Sequence, residues 1–148
     1  MHITFRSLLI ISMMLVAFSS YADQYKDRYN DGVAFYKSGK YNSAIRHFRS
    51  MLKTSRDHDL SDNCQFWIGE CYYTMKKYEQ ALIEFDRTIS FPFSNKIEDA
   101  MFKIALCHEK LEEPQLALDM YQRFLSNFPA SQHTKFIMKR ITELGSTQ

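Results

Sequence analysis

Apolar positions along this chain recur at helical spacing and in a repeating order. Ala44, Ile45, Phe48, Met51 and Leu52 lie on one face of a helix predicted from Tyr41 to about Thr54. A helix from about Gln24 to Tyr36 precedes it and stops at Lys37-Ser38-Gly39, since glycine suits the left-handed residue beyond a helix end. The stretch from Asn63 to Phe93 reads as a helix, a tight turn and a second helix. After the Phe91-Pro92 break, Ser94 or Asn95 is expected to cap the next helix, and Asn95 with Glu98 has capping-box spacing. Pro114 opens the second helix of a third hairpin, in a first turn where no backbone donor is needed. Beyond Pro129 and Ser131 one more helix runs to Leu144. Ile137, Ile141 and Leu144 form its apolar face, leaving Lys135, Lys139, Arg140 and Glu143 for water.

These helices repeat in register. Gly32 lies twelve residues before Ala44, Gly69 twelve before Ala81, and Ala105 twelve before Ala117. Each alanine is followed four residues later by an aromatic: Phe48, Phe85 and Tyr121. The alanines are spaced 37 and then 36 residues apart, and Phe-Pro-x-Ser occurs at Phe91 to Ser94 and again at Phe128 to Ser131. Self-similarity at such a period means helical hairpins stacked in an array.

These residues resemble the tetratricopeptide repeat over about residues 25 to 130. Gly32, Gly69 and Ala105 take the small site where two helices of a hairpin cross, with Phe35, Tyr72 and His108 three residues on. Tyr41, Tyr78 and Pro114 open the second helices, Ala44, Ala81 and Ala117 allow close approach, and Phe48, Phe85 and Tyr121 fill the core. The resemblance implies an all-α fold, a right-handed α-solenoid of three hairpins at about 25–58, 62–93 and 98–130, with a capping helix at 131–144, in a domain of residues 23–148. Arg28 and Asp31 stand where apolar residues usually pack, which fits an end repeat. Met51, Thr88 and Phe124 are larger than the residue common late in the second helix. The two or three residues beyond the family's period fall at Thr54 to Asp62 and Phe91 to Asn95.

Residues 1–22 have the pattern of a cleavable secretory signal. His2 and Arg6 give a basic start, Leu8 to Phe18 an apolar run, and Ser20-Tyr21-Ala22 a small-x-small site before Asp23. The run of eleven is short of the about 20 residues a spanning helix needs, so no permanent membrane span is expected. Cys64, Cys71 and Cys107 are an odd count, which leaves at least one thiol unpaired. Their places on the helices argue against pairing with one another; buried thiols are expected, with an intermolecular bond through Cys64 as the rival. A formal charge of +2 without a basic stripe points away from nucleic acid. Cys71, Cys107 and His108 are the one candidate metal cluster, but His108 reads more simply as a core aromatic. With no His-Glu-x-x-His, phosphate loop or nucleophile elbow, the chain is read as a non-enzyme that needs neither metal nor cofactor.

Arrays of this kind bind partners. The family's concave face is built from positions three before, two before, one after and four after the small crossing residue. The resemblance therefore implies a binding face of Tyr29, Asn30, Val33 and Tyr36, then Phe66, Trp67, Glu70 and Tyr73, then Phe102, Lys103, Leu106 and Glu109. One reading is a groove for an extended or helical partner segment, anchored by Trp67 and its neighbouring rings. The other is that linkers or the last helix fold over these rings. The family's carboxylate-clamp positions hold Tyr29, Val33, Trp67, Asp99 and Lys103, which do not reproduce the clamp, so chaperone-tail binding is not expected. The long period, the Phe-Pro-x-Ser linkers and the export signal resemble bacterial envelope members, such as the Tol-Pal accessory protein and the repeat lipoprotein of the outer-membrane assembly machine. That implies a periplasmic adaptor whose partner is another envelope protein or peptide segment, with weak self-association as the alternative.

Overall fold

The computed structural model describes residues 14, 23–54 and 60–146. Apart from Met14, the expected signal lies outside the described residues, as do linker residues 55–59. Residues 23–37 are helical (α1). The further helices are α2 (Tyr41–Thr54), α3 (Ser61–Thr74), α4 (Tyr78–Ile89), α5 (Ile97–Lys110), α6 (Pro114–Asn127) and α7 (Thr134–Gly145). From α2 to α7 each helix packs on the next in sequence. The result is an α-solenoid of hairpins, α1/α2, α3/α4 and α5/α6, followed by α7. Among the described residues no helix is long and apolar enough to cross a membrane.

One turn is used three times. Gly39 N–H donates to the Tyr36 carbonyl and Lys40 N–H to that of Phe35, both at 2.9 Å. Lys76 and Lys77 donate in the same way to Tyr73 and Tyr72, and Glu112 and Glu113 to Glu109 and His108. This is a Schellman stop, and its pivot must be left-handed. The pivot φ is 74° at Gly39, 60° at Lys76 and 59° at Glu112. Only the first turn has the residue that adopts such a φ without steric strain.

The small crossing sites do what their spacing implies. A Cβ placed on Gly32 would lie 2.5 Å from the Phe48 ring, and one on Gly69 would lie 2.6 Å from Phe85. Both rings are fully buried, with Tyr121, Ala44, Ala81 and Ala117. The larger late residues Met51, Thr88 and Phe124 are fully buried too, so their volume fills space between layers. All three cysteines are buried thiols, and burial pushes each up to about 12.

The Phe-Pro-x-Ser linkers prove to be hooks. Ser94 donates its hydroxyl to Asp62 Oδ2 (2.8 Å) in the first turn of α3, and its Oγ accepts the Lys96 N–H (3.0 Å). Ser131 repeats this one layer on, donating to Glu98 in the first turn of α5 and accepting from His133 N–H (3.0 Å). The expected capping box at Asn95 and Glu98 is not formed. Lys96 is the N-cap of α5, Asn95 N–H is bound to Asp62, and Glu98 is occupied by Ser131. A buried carboxylate fastens the first two layers on the other side. Glu84 of α4, 4% exposed, accepts from Arg49 of α2 (2.9 Å), Gln65 of α3 (2.5 Å) and Arg87 (3.0 Å). In α7, Ile137 is buried, while Lys135 and Lys139 face water. Arg140 and Glu143 do not: both are half-buried in an ion-pair network with Glu109.

Candidate partner-binding face

Eleven of the twelve expected face residues are half-buried, and Asn30 is exposed. They meet across the seams between α1, α3, α5 and α7, because a first helix of one hairpin packs beside that of the next. Between α1 and α3, Trp67 Nε1 donates to Tyr29 OH (2.6 Å), and its ring lies 4.8 Å from that of Tyr36. The Tyr36 hydroxyl is 3.1 Å from Thr74 Oγ1. Tyr36 and Tyr73 also sit edge-on to Tyr41 and Tyr78 at 5.4 and 5.5 Å, each bracing the turn of its own hairpin. Burial raises the Tyr29, Tyr36 and Tyr73 phenols above their ordinary value, so these rings stay neutral.

Between α3 and α5 the link is ionic. Lys103 Nζ lies 2.8 Å from Glu70 Oε1 and hydrogen-bonds Oε2 at 2.9 Å; Oε1 is buried with that ionic contact alone. The same ammonium stands 4.7 Å over the Tyr73 ring. Phe66 turns away from the seam towards the core, its ring 5.4 Å from Phe85 and 5.7 Å from Lys96 Nζ. Lys96 is paired with Asp99 at 3.1 Å.

At the third seam α7 covers part of the face. Phe102 stacks on His133 (4.1 Å, 15°) and meets Phe136 edge-on at 5.7 Å. Glu109 accepts two bonds from Arg140, one of them from Nε at 3.0 Å, and a third from Tyr121 OH. Burial alone would raise the Glu109 carboxyl; the bonds from Arg140 and Tyr121 outweigh it and hold the carboxyl below its ordinary value. Covering by the last helix thus applies to Phe102 and Glu109. Val33 and Leu106 are half-buried, and among the described residues neither they nor Asn30 make a polar contact to a neighbouring helix. Sequence reasoning missed Arg140 and Thr74 as partners of face residues, and Tyr121 as the buried hydroxyl beneath Glu109. Each joins through a contact 12 to 38 residues away, which no local pattern signals.

A recess of about 520 Å³ lies elsewhere, between the ends of α2 and α4, lined by Leu52, Lys53, Gln65, Arg87, Ser90, Phe91 and Pro92. None of the twelve face residues borders it. Among the described residues no three His, Cys, Asp or Glu side chains are grouped to hold a metal ion.

Residues 63–91 and 99–131 match the tetratricopeptide repeat. The chain is similar in structure to SycD, a type III secretion chaperone of Yersinia enterocolitica solved with a peptide of the translocator YopD. The TM-score is 0.67 at 20% identity, over 82% of this chain and 89% of that one. It is also similar to Pseudomonas aeruginosa PcrH with the chaperone-binding region of PopB (TM-score 0.63, 21% identity, 82% and 94% covered). A third likeness is to the second domain of human RPAP3 with the HSP70 peptide SGPTIEEVD (TM-score 0.65, 17% identity, 84% and 98% covered). At these identities the likeness shows the fold, the superhelix of tetratricopeptide repeats. No curated protein matches the chain.

Proposed function

We propose that this tetratricopeptide-repeat protein is an exported adaptor of the bacterial envelope that holds a segment of another envelope protein against α1, α3 and α5. The observation that carries the reading is the row of neutral rings on that face, with Trp67 braced by Tyr29 and Tyr36 and Tyr73 braced by Tyr78. Rings already locked by neighbours lose little freedom on binding, so contact with them is not offset by ordering costs. An aromatic anchor burying about 150–250 Å² at about 25 cal/mol per Å² contributes about 4–6 kcal/mol before those costs. SycD, PcrH and RPAP3 each hold a peptide on this fold, which supports a segment as the partner. The pattern of residues 1–22 supports export, with the mature chain starting at Asp23 in the periplasm.

Alanine at Trp67 or Phe66 would damage packing as well as the face, so the test adds bulk where no inter-helix bond is lost. Asn30→Arg with Leu106→Arg is compared with wild type and with Gln122→Arg, an exposed control, in capture from envelope extract. The reading requires one protein retained by wild type and by the control and lost with the double variant, whose circular dichroism is unchanged. Equal capture by all three refutes it. N-terminal sequencing of the exported product tests the compartment: a chain still starting at Met1 refutes cleavage.

A further inference from the structure

The cations that the seams hold beneath this face, among the described residues, are already paired within the protein. Lys103 is bound to Glu70, Arg140 to Glu109, and Lys96 to Asp99, in each case a cation with a carboxylate at or near contact distance. Tyr73 covers the Lys103 ammonium, Trp67 Nε1 is spent on Tyr29, and the Tyr36 hydroxyl is engaged with Thr74. The side chains of Glu70 and Glu109 are only 13% and 14% exposed, and those of Lys103 and Arg140 23% and 28%. These pairs are therefore not surface ornaments that salt and water exchange freely. An entering carboxylate could reach Lys103 or Arg140 only by driving out a built-in one, which leaves that acid buried beside it and unpaired. An uncharged segment meets no such obstacle, and the ring faces, Val33 and Leu106 remain for it.

Resting on the groove reading above, we propose that Glu70 and Glu109 are specificity residues. They neutralise Lys103 and Arg140 in advance, so the face rejects acidic segments and accepts one that is uncharged and rich in aromatic or aliphatic side chains. Discrimination of this kind is exerted against the wrong ligand as much as for the right one.

The probes are two N-acetylated nonapeptides, acetyl-SGPTIEEVD and its neutral counterpart acetyl-SGPTIQQVN-amide, titrated against the full chain. Trp67 is the single tryptophan, so its fluorescence reports from the face itself. Wild type is expected to bind the acidic peptide no more tightly than the neutral one. In Glu70→Gln with Glu109→Gln, which keeps side-chain shape, frees Lys103 and leaves Arg140 with Glu143 as its one carboxylate partner among the described residues, affinity for the acidic peptide should rise by at least about tenfold. The gain should vanish when Lys103→Gln and Arg140→Gln are added. The proposal is overturned if wild type prefers the acidic peptide, a comparison that needs no variant to fold. It is equally overturned if the folded double variant gains no affinity for that peptide. Failure of the groove reading has another signature, capture that survives Asn30→Arg with Leu106→Arg.

Discussion

Replacing Gly69 by alanine isolates the contact that sets the spacing of a hairpin. Gly69 lies inside α3, where alanine favours the helix by about 1 kcal/mol over glycine. On propensity alone the substitution should stabilise. The new Cβ would, however, stand 2.6, 2.7 and 3.0 Å from three atoms of the Phe85 ring. Carbon pairs rest at about 3.5–4.0 Å, so the ring must retreat by about 1 Å. Phe85 is fully buried against Phe66 and beside Ala81. Forcing a ring in a filled core typically costs about 1–3 kcal/mol, and a shift of this size belongs to the upper half of that range. Net destabilisation of about 1–2 kcal/mol is expected. Urea unfolding followed by circular dichroism should show the midpoint falling at constant slope. Gly145→Ala, at the end of α7 with nothing within 4 Å, is the control and should not destabilise. Adding Phe85→Leu to Gly69→Ala should recover part of the loss. A Gly69→Ala protein as stable as wild type would refute the steric argument.

The left-handed pivots Lys76 and Glu112 make the opposite prediction. Replacing either by glycine should raise stability by about 0.5–1 kcal/mol, the relief of left-handed strain less the entropy glycine loses on folding, and thermal melting checks it. Glu109 has a folded pKa below its ordinary value, so its stabilisation is fully present above the unfolded carboxyl range and is lost as pH falls through the folded value. The stability gap between wild type and Glu109→Gln, from urea titrations between pH 7 and pH 3, should therefore shrink towards acid; a gap that widens contradicts the assignment. The three thiols, buried and pushed up to about 12, should react with a neutral-pH alkylating reagent only as fast as the chain opens. Mass spectrometry of fast labelling at any of them in the native protein would disprove that. Ser131→Ala removes the hook to Glu98 and should cost about 1 kcal/mol, read from the urea midpoint; no change would mean the hook is idle.

The repeat register, the hairpins and their stops were legible because each rests on a local cause. Gly39 ends α1 by permitting a positive φ, Pro114 starts α6 because a first turn needs no donor, and a small residue twelve before an alanine marks a crossing. The buried face of α2 follows from the spacing of Ala44, Ile45, Phe48 and Met51. The same local logic misread Asn95 and Glu98 as a capping box. The residue types and spacing were right, but Ser131 and Asp62, each more than thirty residues away, had stronger claims on those groups. It also assigned Arg140 to water because the side chain is charged, although its place three residues after Ile137 and four before Leu144 borders the apolar stripe of α7.

What the chain settles by itself is thus the periodic part: helices, turns, small crossing sites and the rings that fill them. These depend on backbone geometry and on burial, both of which a residue type at a given spacing specifies. Only the stacked structure decides which polar ends meet across the seams: Trp67 with Tyr29, Lys103 with Glu70, Arg140 with Glu109, and Ser94 with Asp62. Such pairs form between helices about one repeat apart, where a shift of one side chain changes the partner. A hydrogen bond or ion pair is directional and short-ranged, so its choice of partner waits until packing has fixed where the helices lie.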